Sequence, residues 1–212
     1  MKTLVENLHK ALGKHIDDLT WMSEETKTKA LEKLATFNVK IGYPDKWKDY
    51  SEIHIDPKKS YLQNVLEASR WYVKDNYSKF NKPVDKEEWH MTPQTVNAYY
   101  NPTTNEVCFP AAILQPPYFD PSADDAQNYG AIGVVIGHEM THGFDDSGRQ
   151  FDKNGNLAEW WQPEDSDRFK ALADRLVEQF DAIEGAPGVH ANGRFTLGEN
   201  IADQGGLRIA LT

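Results

Sequence analysis

Apolar residues recur at helical spacing through the first part of the chain and at strand-like spacing later. Leu4, Leu8, Leu12 and Leu19 fall near one face of a 3.6-residue repeat and predict an opening helix. A second helix is expected from Ser23, a favoured N-cap residue followed by Glu24 and Glu25, through Ala30, Leu31, Leu34 and Phe37. Gly42-Tyr43-Pro44-Asp45 reads as a turn. A third helix is expected over Lys59 to Phe80, with Leu62, Val65, Leu66, Ser69 and Val73 on one side and Pro83 as its stop.

From there Thr95–Tyr100 and Glu106–Phe109, separated by Asn101-Pro102-Thr103-Thr104-Asn105, predict a hairpin. Ser122 opens a long helical stretch through Ala126, Tyr129, Ile132, Val135 and Ile136 to His142. A loop rich in Asp, Gly and Asn follows from Gly143 to Asn156, then an amphipathic helix begins at Pro163. A last helix starts near Gly198 and is still running at Leu211-Thr212, the pattern expected of a chain cut inside a helix. The fold class is therefore mainly α with a small β-hairpin. A helical segment over residues 1–90 leads into a second region over residues 91–212.

Composition narrows the classes of function. The 212 residues include 6 Trp, 9 Tyr and 9 Phe and are 39% hydrophobic, too apolar for a disordered segment. A net charge of -10 argues against a nucleic-acid partner, which needs a basic surface to displace counterions. The single cysteine, Cys108, excludes an internal disulfide and reads as a buried thiol. The longest apolar run, Ala131–Gly137, is far short of the roughly 20 residues of a membrane span. Met1–Gly13 is mixed and charged, unlike a secretory leader.

The chemistry is concentrated in His138-Glu139-Met140-Thr141-His142, an H-E-x-x-H motif. One helical turn puts both imidazoles on one face, where they reach one zinc ion. Glu139 projects beside them, placed to accept a proton from a zinc-bound water. A third protein ligand is still required. An H-x-x-G-x-x-H continuation is excluded, because Asp145 and Gly148 stand at the needed Gly and His. Glu159 lies only four residues before Pro163 and is poorly placed in a helix. Glu199 is the better candidate: it shares a helical face with Asp203, which could take the outward N–H of a ligand histidine. Gly198, Gly205 and Gly206 would let this segment approach the histidine helix closely.

Four stretches carry a resemblance. They are Val96-Asn97-Ala98-Tyr99-Tyr100, Phe109 to Pro117, Val135 to Asp146 around the histidine motif, and Gly198-Glu199-Asn200-Ile201-Ala202-Asp203. In these the chain resembles the neprilysin family of zinc metallopeptidases, which includes endothelin-converting enzyme and bacterial oligopeptidase O. The resemblance implies a thermolysin-like zincin catalytic domain, incomplete at its C-terminus, with the zinc-binding core in 91–212. It implies one Zn2+ per chain, held by His138, His142 and Glu199, with Glu139 as general base and Asp203 orienting a ligand. It implies that Asn97 and Ala98 hydrogen-bond substrate backbone along an edge strand. Peptide substrates cleaved on the amino side of apolar residues follow from the same likeness. The family also uses a histidine and an arginine downstream of the third ligand, and its proteins have further N- and C-terminal parts. Lack of those residues would leave a zinc-binding but catalytically silent fragment, the alternative reading. Few cysteines resemble bacterial members, and the compartment is left open.

Other features have plainer readings. Asp152 to Asn156 is a turn rather than a calcium loop, since Trp161 stands where a ligand Glu is needed. Trp160-Trp161 and Trp71-Tyr72 are packing residues, and His190 is a loop histidine.

Overall fold

The computed structural model describes residues 1–212 and separates into two compact units. One comprises Met1–Tyr43 together with His90–Thr212, the other Pro44–Trp89. The contacts thus divide the chain differently from a 1–90 and 91–212 split. The first two helices belong with the histidine motif because their apolar stripes close its core.

In the larger unit, α1 (Lys2–Asp17) buries Leu4, Val5, Leu8, Leu12 and Ile16, so Ile16 rather than Leu19 completes the stripe. Helix α2 (Glu24–Ala35) starts where expected, with the Thr26 N–H donating to Ser23 Oγ. The Ser23 hydroxyl and N–H both donate to the buried Asp165, tying this cap to the start of a later helix. Strand β1 (Asn38–Gly42) was not expected, because a five-residue segment whose partner is distant in sequence leaves no hairpin signal. It runs parallel to β3 (Glu106–Pro110), which pairs antiparallel with β2 (Tyr99–Asn101) on its other side. The expected hairpin is present, but its first strand is shorter than Thr95–Tyr100. Val107 and Phe109 on β3 are fully buried in the main core. Glu106 has no exposure and is satisfied from both neighbours, by the Lys40 ammonium at 2.8 Å and the Tyr99 hydroxyl at 2.9 Å.

The long stretch expected from Ser122 is built in three pieces. Helix α4 (Asp125–Asn128), capped by Asp124, passes into a π-helical turn over Tyr129–Gly133 and then into α5 (Val134–Thr141). Ile132, Ile136 and Met140 are fully buried against the α1 stripe. Helix α6 (Pro163–Asp181) opens with Pro at its first turn, where no N–H is needed. A short exposed hairpin, β4 (Glu184–Ala186) with β5 (Val189–His190), precedes the last helix and carries His190, expected in a loop, at its second strand. Helix α7 spans Leu197–Ala210, with Leu211 at its C-cap position.

Two of these helices meet backbone to backbone. A Cβ on Gly137 of α5 would lie 2.9 Å from the Cα of Gly206 on α7. A Cβ on Gly206 would lie 2.5 Å from Val134 O and 2.7 Å from His138 N. No real Cβ tolerates such contacts, so only glycine permits this approach.

The smaller unit holds α3 (Tyr61–Ser78), which begins with a capping box between Ser60 and Gln63. None of its residues is buried, and the expected apolar side remains open, with Leu62 65% and Val73 55% exposed. The unit is too short to enclose a core of its own. Its packing is aromatic instead, with Trp71 against Tyr50 and Tyr72 at ring separations of 5.1 and 5.2 Å.

Gly206→Ala is expected to force α5 and α7 apart, lowering stability by about 1–3 kcal/mol. Thermal denaturation beside the wild-type chain measures it, and an unchanged midpoint would show that the glycine contact is dispensable.

Candidate metal centre

Helix α5 delivers His138 from its last turn and His142 from its C-cap position. Their Nε2 atoms face each other at 3.0 Å. Each Nδ1 donates to a carboxylate: His138 to Asp203 Oδ1 at 2.8 Å and His142 to Asp145 Oδ2 at 2.6 Å. With the proton held on Nδ1, each neutral ring turns an unprotonated Nε2 toward the other. Two such lone pairs at this distance repel unless a cation lies between them.

Helix α7 completes the group from its first turn. Glu199 Oε2 lies 3.3 Å from His138 Nε2 and 3.7 Å from His142 Nε2. A tetrahedral zinc with bonds of about 2.0–2.2 Å spaces its ligand atoms about 3.3–3.5 Å apart. The three separations bracket that spacing, and a donor set of two imidazoles and one carboxylate suits zinc. These three side chains could therefore hold the ion. A carboxylate oxygen of Glu139 also comes within 4.8 Å of the imidazole nitrogens. Glu199 is the better third ligand, because its oxygen is closer to both.

Glu139 is buried in the cleft wall. Burial raises its pKa, with the two imidazoles opposing and Glu199 reinforcing the shift. A carboxylate so placed is a stronger base than one in water. Burial disfavours the charged form of His142, but the hydrogen bond and charge of Asp145 outweigh it, so its pKa is raised.

The two orienting carboxylates differ in setting. Asp145 is 4% exposed, and its Oδ1 also accepts the N–H groups of Ser147 and Gly148 at 2.9 and 2.6 Å. The Asp203 side chain is 76% exposed. Sequence reasoning gave Asp145 no role. It lies three residues after His142 and past the helix end, so helical periodicity does not point to it, although the H-x-x-D spacing was available.

Asn97 and Ala98 line the same cleft, of about 440 Å³, as His138, Glu139, His142, Asp145 and Glu199. They lie just before β2 rather than within it, on the edge side of the β1-β3-β2 sheet. Glu159 is exposed in the segment before α6 and makes no hydrogen bond or ion pair with the histidines. Cys108 is fully buried, and burial pushes its thiol up to about 12, an inert setting.

Two imidazoles and a carboxylate from a second helix, beside a buried glutamate, form a donor set that suits a catalytic zinc ion. Family models for peptidase family M13 match residues 97–212 and residues 1–44. The chain belongs to peptidase family M13. It is 41% identical to Neprilysin-3 of Drosophila melanogaster, over 98% of this chain and 27% of that protein. It is 41% identical to the neutral endopeptidase of Lactococcus lactis subsp. cremoris, over 100% of this chain and 34% of that one. Among solved structures it is similar to the Mycobacterium tuberculosis zinc metalloprotease ZMP1 in complex with inhibitor, with a TM-score of 0.95 and 51% identity, covering 99% of this chain and 33% of that one. The chain thus spans about a third or less of the length of these relatives.

Metal binding requires both imidazoles neutral, and the raised pKa of His142 makes protons compete at a higher pH than for a free imidazole. Zinc affinity is therefore expected to begin falling above pH 6.5 as the solution is acidified. Calorimetric titrations between pH 6 and 8 read this out, and an affinity flat across that range would contradict it.

Proposed function

We propose that this chain carries the zinc site and general base of an endopeptidase that hydrolyses short peptides on the amino side of apolar residues. The observation that carries the reading is the convergence of three metal-competent atoms from two helices beside the buried Glu139 carboxylate. When bound, zinc supplies Lewis-acid polarisation of the scissile carbonyl and lowers the pKa of water toward roughly 7. His138, His142 and Glu199 hold it. Asp203 and Asp145 keep the Nδ1 protons in place, so that both Nε2 atoms stay free for the metal.

Glu139 takes the proton of the attacking water on its carboxylate and returns it to the leaving amine. Its raised pKa suits both steps, because it brings the carboxyl nearer to the operating pH. Asn97 and Ala98 offer backbone and amide groups at the edge side of the sheet. A peptide laid there gains main-chain hydrogen bonds that set its register without selecting side chains. The likeness to relatives named neprilysin, neutral endopeptidase and zinc metalloprotease supports the same reading.

A second reading is favoured by one observation. The cleft lining offers no lysine, no arginine and no third histidine, so any oxyanion donor within it is a neutral group such as the Asn97 amide or the Ser147 hydroxyl. Stabilising the oxyanion needs a donor beyond the metal, and loss of one costs about 100- to 1000-fold in rate. On this reading the 212 residues bind zinc but turn over slowly or not at all, with the remaining donors supplied by other parts of a longer protein.

The two readings separate in one experiment. The zinc-loaded chain is incubated with peptides containing internal Leu or Phe, and products are followed by mass spectrometry with and without chelator. The endopeptidase reading expects chelator-sensitive cleavage that drops by about 100-fold or more in Glu139→Gln while zinc stoichiometry is unchanged. Stoichiometric zinc without cleavage establishes the second reading. Cleavage of equal rate in Glu139→Gln would remove Glu139 from the mechanism.

A further inference from the structure

Lys33, on α2, is the largest fully buried side chain in the protein, at 1% exposure. Lysine is almost never buried without a partner. Here the partners are backbone: Nζ donates to the carbonyl oxygens of Gly143, Gly148 and Phe151, each at 2.7 Å. An ammonium has three N–H donors, and all three are used. The rings of Phe144, Trp160 and Tyr100 surround it, with centroids 5.6, 5.7 and 5.9 Å from Nζ. Burial pushes its pKa down to about 8 against the charges of Asp145 and Asp152, so it still carries its charge at pH 7.

All three carbonyls belong to the segment that leaves the histidine helix, and Asp145 lies between the first two. Gly148 is gripped from both sides. Its C=O accepts from Lys33, and its N–H donates to Asp145 Oδ1, while Asp145 Oδ2 receives the His142 Nδ1 proton. A Cβ on Gly148 would overlap the carbonyl oxygen of His142, so the segment is folded hard against the end of α5. Three carbonyl oxygens turned toward one point repel each other, and only a cation at that point holds them there.

We propose that Lys33 is a positioning residue for the metal centre. Its ammonium gathers the 143–151 segment so that Asp145 is presented to His142 and fixes which imidazole nitrogen faces the ion. The inference rests on reading His138, His142 and Glu199 as the metal ligands. It acts through two hydrogen-bonded steps, Lys33 to Gly148 and Gly148 to Asp145, without contact to metal or substrate.

Zinc affinity of the 212-residue chain, measured by competition with a chromophoric chelator, is the test. Lys33→Met is expected to bind zinc about 10- to 100-fold more weakly, the usual effect of losing an outer partner of a metal ligand. Its cobalt(II) form at saturation should show a shifted visible absorption band. Lys33→Arg keeps a cation with several donors and should recover most of the affinity, although its bulk leaves it no more heat-stable than Lys33→Met. Leu8→Ala, in the core and outside the cleft lining, should lower the melting temperature while leaving the affinity unchanged.

Lys33→Met with wild-type affinity, or affinity that simply tracks melting temperature across the three variants, would overturn the proposal. Should the Lys33 variants not fold, hydrogen exchange on the wild type decides. The Gly148 amide should exchange as slowly as the interior of α5, and exchange at the rate of an open loop overturns the proposal. A wild-type chain that binds no zinc defeats the metal-site reading itself, an outcome distinct from intact binding unaffected by Lys33.

Discussion

The candidate centre depends on how closely two helices approach. Glu199 is useful only if α7 lies against α5 with no side chain between them, and Gly137 facing Gly206 meets that requirement. The slack is small. Donor atoms separated by 3.0 to 3.7 Å would be pulled out of reach of a common ion by the width of one methyl group. Close packing turns a difference of one Cβ into a difference in chemistry, because interiors transmit displacement rather than absorb it.

Around that contact the protein fixes its two imidazoles by different means. His138 is held by Asp203, from the same helix that supplies Glu199, so one rigid element presents both carboxylates to the histidine. His142 is held by Asp145, from an irregular segment with no helical ladder of its own. That segment is ordered instead by a buried ammonium and by N–H groups converging on the Asp145 carboxylate. The exposed pair relies on helix rigidity and the buried pair on a polar network. In a low-dielectric setting a fully satisfied network is rigid, and the same setting makes each missing partner costly.

Much of the fold was legible before any coordinates. The α1 stripe, the Ser23 cap, the hairpin, the Pro163 start and the α7 segment are local patterns, each encoded within a few turns. The misses share a cause. β1 pairs in parallel with a strand more than sixty residues later, and no turn chemistry announces such a partner. The apolar side of α3 has the spacing of a core helix, yet periodicity cannot tell whether a surface exists to cover it. The π-helical turn before α5 and the role of Lys33 are equally invisible, since a lysine at helical spacing reads as a solvated residue.

The sequence by itself determined the donor types and their local geometry. An H-E-x-x-H run in a helix must place two imidazoles on one face with the glutamate beside them, because 3.6 residues make a turn. It also determined that Glu199 and Asp203 share a face. Only the tertiary structure decided that these two faces meet at hydrogen-bonding distances, that Asp145 returns to His142, and that a buried lysine closes the loop between them. Periodicity describes one element at a time. The meeting of elements is decided by packing, by glycine contacts and by the satisfaction of buried polar groups across long stretches of chain.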